Sequence, residues 1–176
     1  TSVPASVVSK TQAPELTAVS VATVCRELDA LLADEFTDAG LHVRVEDHDM
    51  YVRADREQFR QVLFNLLHNA IRFAPGTGEI LVTVRQQPNH LLTLEVRDRG
   101  PGIPVDAQAQ IFSPYVTTSA DGIGLGLAIV RRIARSHGWN IACRDADGGG
   151  ALFEVTDIVP SPRPGPTETA RTADED

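Results

Sequence analysis

The sequence predicts an α+β fold, a two-layer α/β sandwich whose mixed, mostly antiparallel sheet is covered on one face by helices. Apolar residues recur at three- and four-residue steps in three segments, which is typical of helices with one buried face. Short alternating segments occur in pairs around them, as expected for adjacent β-strands. With 176 residues, of which 42% are apolar, the chain is long enough for one domain with a sizeable core.

The first half is predicted to contain two helices and a hairpin. Apolar residues from Val21 to Phe36 keep a helical spacing, and Gly40 ends that helix. Residues 41–46 alternate, a charged turn follows, and residues 51–54 return as the second arm of a hairpin. Asp55 is a good N-cap for a second helix that runs to about Phe73.

The second half is predicted to contain two strand pairs, separated by a long loop and a helix. The strands cover residues 80–84 and 91–97, then 139–144 and 151–156, and the helix covers about 125–136. Residues 98–126 are rich in Gly, Pro, Ser and Thr, and we treat them as a lid because long loops in compact domains are usually functional. We predict three segments along the chain: a leader at 1–15, a folded domain at 16–159 and a disordered tail at 160–176.

Composition disfavours several classes of function. With 16 basic and 24 acidic residues, the net charge of −8 argues against affinity for nucleic-acid phosphates. The only lysine is Lys10 in the leader, which excludes a Walker-type phosphate loop and a Schiff-base lysine. No apolar run approaches the ~18 residues of a membrane span and no signal peptide is visible, so we expect a cytoplasmic piece. Cys25 and Cys143 are expected to be buried free thiols.

The second helix carries two carboxamides, Asn65 and Asn69, on one face of an otherwise apolar run. A carboxamide oxygen suits Mg²⁺ held against phosphates, and Arg72 is close enough in sequence to reach the same anion. The alternative is two amides satisfied by neighbouring backbone groups and a solvated arginine.

Asp98 and the glycines of 122–126 are the other candidates. Asp98 continues the inward-facing phase of its strand, where a carboxylate is costly without a partner such as a ligand amine. The glycines leave bare amides at a helix N-terminus, where the macrodipole favours phosphate. An Asp that caps a turn and a flexible hinge are the corresponding structural alternatives.

Four segments resemble the N, G1, F and G2 boxes of the ATP-binding domain of sensor histidine kinases, within the GHKL (Bergerat-fold) group that includes gyrase and heat-shock chaperone ATPases. In this order they are Gln61 to Pro75, Asp98 to Ile103, Ile111 to Tyr115 and Gly122 to Val130. The resemblance covers residues 16–159 and implies a Bergerat-type sandwich with a mobile ATP lid.

The resemblance implies a binding site for ATP and Mg²⁺. Asn69 would coordinate the metal, with Asn65 and Arg72 nearby, and Asp98 would accept the adenine amino group. The remaining residues would line the base pocket or bind phosphates: Phe73, Gly100, Gly102, Ile103, Tyr115, Gly122, Gly124, Leu125, Gly126 and Leu127.

The implied activity is that of an ATP-dependent protein-histidine kinase in two-component signal transduction. Gyrase-like members carry a water-activating glutamate where this chain has Asn65, so phosphotransfer rather than hydrolysis is expected, with Asn65 and Asn69 as the catalytic residues. No histidine here fits the phosphoacceptor pattern. The resemblance therefore implies a monomeric fragment of a membrane-anchored sensor, whose partners are a histidine-bearing dimerisation domain and, through it, a response regulator.

One departure from the family pattern and two alternative functions stay open. The lid between Tyr115 and Asp121 lacks the Arg or Lys that many family members carry there. An anti-sigma-type serine kinase and a non-catalytic nucleotide-binding module would share the same fold.

Overall fold

The computed structural model describes residues 13–113 and 126–165, which contain five helices and eight strands. In chain order these elements are β1 (Thr17–Ser20), α1 (Val21–Leu31), α2 (Ala33–Asp38), β2 (Leu41–Glu46), β3 (Tyr51–Ala54), α3 (Arg56–Phe73), β4 (Gly78–Gln86), β5 (Leu92–Arg97), α4 (Val105–Gln108), α5 (Gly126–His137), β6 (Asn140–Asp145), β7 (Ala151–Ile158) and β8 (Pro160–Ser161).

The main sheet has five strands in the order β2-β4-β5-β7-β6. Strands β2 and β4 run parallel, and every other neighbouring pair is antiparallel. A second, smaller sheet has the order β1-β3-β8, with both pairs antiparallel. The mixed, mostly antiparallel arrangement confirms the predicted fold class.

The predicted hairpin of residues 41–46 and 51–54 is wrong, although both strands exist. β2 pairs with β4, in register Leu41↔Gly78, and β3 joins the smaller sheet. The turn between them is tight, since His48 and Asp49 both adopt positive φ, at 51° and 56°. Alternation shows which residues share a face of a strand, but it does not identify the strand's partner.

The first predicted helix is preceded by a strand and divided in two. β1 occupies residues before Val21, and the Ser20 side chain caps α1 by accepting a hydrogen bond from Thr23 N. Leu32, with φ −99° and ψ 11°, separates α1 from α2. The two helices still bury most of the predicted apolar stripe, including Leu28 and Phe36, but Leu31 at the end of α1 is 55% exposed.

One hydrophobic core lies between the helices and the main sheet. The inward residues of β4 and β5, such as Val82 and Leu94, are buried in the same cluster as Leu63 of α3 and Val130 of α5. The opposite face of the sheet carries ion pairs between neighbouring strands, among them Arg44–Glu79 at 3.3 Å. The helices therefore cover one face of the sheet, as predicted.

The chain leaves the main sheet through β7 and pairs once more with β3. Val52↔Pro160 and Tyr51↔Ser161 form β8, two residues past the predicted end of the folded domain at 159. The domain boundaries otherwise stay a prediction. In the described parts of the chain, no helix combines the length and apolar character that a membrane crossing requires.

Candidate functional site

Helix α3 positions the two carboxamides. Its N-cap is Asp55, whose side chain accepts a hydrogen bond from Gln58 N, as predicted. The helix buries an apolar face, and Asn65 and Asn69 are half-buried at the margin of that face. Four residues apart, they project to the same side of the helix.

Asn65 has an unsatisfied group in the described structure. Its Nδ2 is buried and has no hydrogen-bond partner there, while its Oδ1 lies 3.5 Å from Gln61 Nε2. A Cβ at Gly126, the first residue of α5, would lie 3.9 Å from Asn65 Oδ1. Because a buried amide N–H group without a partner costs free energy, Asn65 has a donor available for a ligand beside the start of α5.

The C-terminal end of α3 carries Arg72 and Phe73. The Arg72 guanidinium carbon lies 5.4 Å from the centre of the Phe73 ring, within cation–π range. Arg72 is exposed and Phe73 half-buried, so the cation stays accessible to an anion while the ring flanks the end of the helix.

Asp98 is one of two buried polar residues in the described chain, with 5% of its surface exposed. Its Oδ1 accepts hydrogen bonds from Gly100 N at 2.9 Å and Ala151 N at 3.1 Å. No described residue donates to its Oδ2. Among the described residues the carboxylate is thus fixed through one oxygen, and the other has no described donor and can accept a hydrogen bond from a ligand.

The glycines after Asp98 make close contacts with the protein itself. A Cβ at Gly100 would lie 2.9 Å from the Cβ of Ala74, the C-cap residue of α3. Gly102 has φ +78°, and a Cβ there would lie 2.8 Å from Asp145 Oδ1. These contacts join the loop at 98–103 to α3 on one side and to the β6–β7 hairpin on the other.

The remaining predicted residues fall partly outside the described chain. Tyr115, Gly122, Gly124 and Leu125 lie outside it, as does the whole of residues 114–125 of the predicted lid. In the lid's first part, α4 begins just after Pro104, and Phe112 is buried with its ring edge-on to Phe153, with centroids 6.2 Å apart. Gly126 is exposed at the start of α5, and Leu127 and Ile103 are half-buried.

Sequence reasoning missed several residues that support the site. Asp145 lies outside the strands predicted at residues 139–144 and 151–156, yet its Oδ1 accepts from Ile103 N at 3.3 Å. A Cβ at Gly150 would lie 2.0 Å from the carbonyl oxygen of Asp98, so only glycine fits. His137 links α5 to α3, because its Nε2 accepts from Asp55 N at 3.1 Å. The run of three glycines from Gly148 was the only local signal among these.

Both cysteines are free and buried, as predicted. Burial, aided by the carboxylates of Asp98 and Asp145, raises the pKa of the Cys143 thiol to about 12. Cys143 therefore stays protonated beside the candidate site and is not a nucleophile at neutral pH.

Comparison with known proteins gives a family match over the region that holds the candidate site. A family model described as histidine kinase-, DNA gyrase B-, and HSP90-like ATPase matches residues 54–160. The sensor protein kinase PilS of Pseudomonas aeruginosa is 37% identical over 123 residues, which cover 68% of this chain and 23% of that protein. The C4-dicarboxylate transport sensor protein DctS of Rhodobacter capsulatus is 33% identical over 156 residues, covering 86% of this chain and 24% of that protein.

Solved structures show the same fold. The nucleotide-free catalytic domain of histidine kinase ThkA is 31% identical, with a TM-score of 0.73, over 82% of this chain and 95% of that one. Full-length ShkA in complex with AMPPNP is 29% identical, with a TM-score of 0.74, over 86% of this chain and 33% of that one. The chain spans about a quarter of the length of the two curated relatives named above and nearly all of an excised catalytic domain.

Proposed function

The chain belongs to the family of histidine kinase-, DNA gyrase B- and HSP90-like ATPases, and on that premise we propose that it transfers the γ-phosphoryl group of ATP to a histidine on a separate domain. Its homologues are sensor histidine kinases, and its fold is that of their ATP-binding catalytic domains. The observation that carries the proposal is Asp98, a buried carboxylate with one oxygen fixed by two backbone amides and the other without a donor among the described residues.

Adenine recognition is assigned to Asp98 and its loop. The free Oδ2 accepts a hydrogen bond from the adenine amino group, which provides the partner that a buried carboxylate requires. Gly100 and Gly102 bring the backbone close to the base, and Phe73 and Ile103 line its pocket. Guanine presents a carbonyl oxygen at the corresponding position, so two acceptors would face each other and GTP is excluded.

Phosphate binding is assigned to the facing ends of α3 and α5. The buried, unpaired Nδ2 of Asn65 lies on the side of α3 that faces Gly126, and Asn69 is on the same side. Arg72 adds a cation there. The backbone amides at the start of α5 donate to phosphate oxygens. The residues assigned to this part of the site and to the adjoining lid are Tyr115, Gly122, Gly124, Leu125, Gly126 and Leu127.

The donor set fits Mg²⁺. Asn69 offers a hard amide oxygen and is half-buried, which suits an ion that keeps most of its ligands from water and phosphates. When bound, Mg²⁺ would neutralise phosphate charge.

The reaction is phosphotransfer because Asn65 cannot act as a general base. An amide does not accept a proton from water at neutral pH, so the chain does not activate water as a carboxylate at that position would. The nucleophile is a histidine on the dimerisation domain of the parent kinase, and a response regulator then receives the phosphoryl group from that domain. We assign the parent to the cell membrane and this domain to its cytoplasmic side.

Labelled ATP tests the proposal. The chain alone, incubated with γ-labelled ATP and Mg²⁺, is expected neither to label itself nor to release phosphate appreciably. Adding the histidine-bearing domain of the parent kinase in trans should produce an acid-labile, base-stable label on that domain, slowly because tethering normally supplies a high effective concentration. GTP is the matched control and should give no label.

Three results would contradict the proposal. Stable label on the chain itself would exclude a divided kinase. Acid-stable, base-labile label on a protein partner would indicate a serine kinase. ATP binding without label on any supplied histidine domain would indicate a regulatory module.

A further inference from the structure

The loop at 98–103 is held at its far end by the last residue of β6. Asp145 is exposed, and its Oδ1 accepts a hydrogen bond from Ile103 N at 3.3 Å. The same oxygen occupies the space beside Gly102 that a Cβ would require, at 2.8 Å. One carboxylate oxygen therefore contacts two consecutive residues of the loop.

The peptide groups of Ile103 are fixed on both sides. Gln108 Nε2 in α4 donates to Ile103 O at 2.9 Å, while Asp145 accepts from Ile103 N. Removing the Asp145 side chain leaves the N–H without its partner and opens space beside Gly102, whose φ of +78° gives it wide conformational freedom.

The hairpin that carries Asp145 also holds Asp98. Ala146 N donates to Gly150 O at 2.9 Å, which closes the turn, and Ala151 N donates to Asp98 Oδ1 at 3.1 Å. Asp145 and Ala151 are directly paired across β6 and β7. The two ends of the loop are thus anchored on one pair of facing residues, which fixes the position of Ile103 relative to Asp98.

We propose that Asp145 is a positioning residue for adenine recognition: its carboxylate holds the Gly102–Ile103 backbone at a fixed distance from Asp98. This inference rests on the proposed function, since Asp98 and Ile103 are the residues assigned to the base. The contact requires a hydrogen-bond acceptor rather than a charge, so an Asn side chain can replace it.

The test compares Asp145→Ala with Asp145→Asn and with Asp147→Ala. Asp147 is a matched control, because it is an exposed acid in the same turn that bonds Arg97 only through its backbone carbonyl. Asp145→Ala should bind ATP about three- to tenfold more weakly, the range expected for one lost hydrogen bond. Asp145→Asn and Asp147→Ala should bind ATP with an affinity within about twofold of that of wild type.

Two further readouts separate positioning from a general loss of stability. The loss in Asp145→Ala should be the same for ATP with Mg²⁺, ATP without it, and adenosine, since only the base contacts are affected. Amide exchange at Ile103 in the nucleotide-free protein should be faster in Asp145→Ala and near wild type in Asp145→Asn.

The outcomes distinguish this inference from the proposed function. If wild type bound ATP and Asp145→Ala bound it equally, the role of Asp145 would be wrong while the kinase assignment stood. A loss confined to Mg²⁺–ATP would also overturn the inference, because it would place the effect at the phosphates. If wild type bound no adenine nucleotide, both proposals would fall together.

Discussion

At the scale of single residues, the hydrogen bonds of Asp98 determine what its substitution does. Two backbone N–H groups, from Gly100 and Ala151, both require an acceptor at the Oδ1 position. In Asp98→Asn the amide oxygen must take that position, so its NH₂ group replaces Oδ2 and presents a donor to the adenine amino group. The expected result is at least tenfold weaker ATP binding, about 1.5 to 3 kcal/mol for a charge-assisted bond.

A titration with a fluorescent ATP analogue measures this change. Asp38→Asn, an exposed acid at the end of α2, serves as the control and should bind as wild type. Unchanged ATP affinity in Asp98→Asn, or equal affinity of wild type for ATP and GTP, would mean that Asp98 does not recognise the adenine base.

The carboxamide of Asn69 is predicted to act through the metal alone. Asn69→Ala should lose the part of ATP affinity that depends on Mg²⁺, because the amide oxygen is the proposed ligand. Affinity for ATP and ADP in the presence of EDTA should stay within about twofold. Calorimetry with Mg²⁺ and without it measures the nucleotide affinity under both conditions. An equal loss without the metal would show that Asn69 supports the fold of the site instead.

Some residues of the site could be predicted from the sequence and others could not, and the difference has a physical reason. Asp98 could be predicted because strand alternation places it toward the core, and its burial confirms that placement. Asp145 could not, since its role depends on a contact with Ile103 across 42 positions of sequence. Ala74 was missed for the same reason: its small side chain matters only because Gly100 packs against it.

At the scale of elements, His137 joins the two helices that flank the proposed phosphate site. Its Nδ1 lies 2.9 Å from Ile133 O and its Nε2 accepts from Asp55 N, which requires the neutral ring. The ring also stacks on Trp139, with centroids 4.1 Å apart. His137 therefore fixes the end of α5 against the start of α3.

His137→Ala is expected to lower the free energy of unfolding by about 1 to 3 kcal/mol, since it leaves the Asp55 N–H without its partner and removes a packed ring. Urea denaturation followed by circular dichroism measures the change. His42→Ala is the control, because the His42 side chain is 68% exposed and should change stability by less than about 0.5 kcal/mol. Equal effects of the two substitutions would refute the proposed link.

Elements were predicted more reliably than their partners. Periodicity located β2, α3 and β5 nearly to the residue, because the alternation of burial that it reflects is local. β2 and β4 pair in parallel although the whole of α3 lies between them in the sequence, and no local pattern specifies that pairing. β1 and β8 were missed because each is short and belongs to a separate small sheet.

At the scale of the whole molecule, the buried thiols predict how stability depends on alkaline pH. Burial, aided by Asp47 and Asp29, raises the pKa of the Cys25 thiol from 9.0 to about 12, and that of Cys143 is raised to about 12 as well. Above pH 9 the unfolded chain releases these protons while the folded chain retains them. The stability that these thiols contribute is therefore present in full below pH 9, and it is lost as pH rises from there toward 12.

Each thiol should contribute a slope of about −1.4 kcal/mol per pH unit in that window. The double variant Cys25→Ala/Cys143→Ala keeps every other titrating group, so its stability should fall less steeply by about 2.7 kcal/mol per unit. Urea denaturation of both proteins from pH 7 to the highest pH at which they fold gives the two slopes. Parallel slopes above pH 9 would show that the thiols ionise in the folded chain, and that the core beneath β6 and α1 admits water.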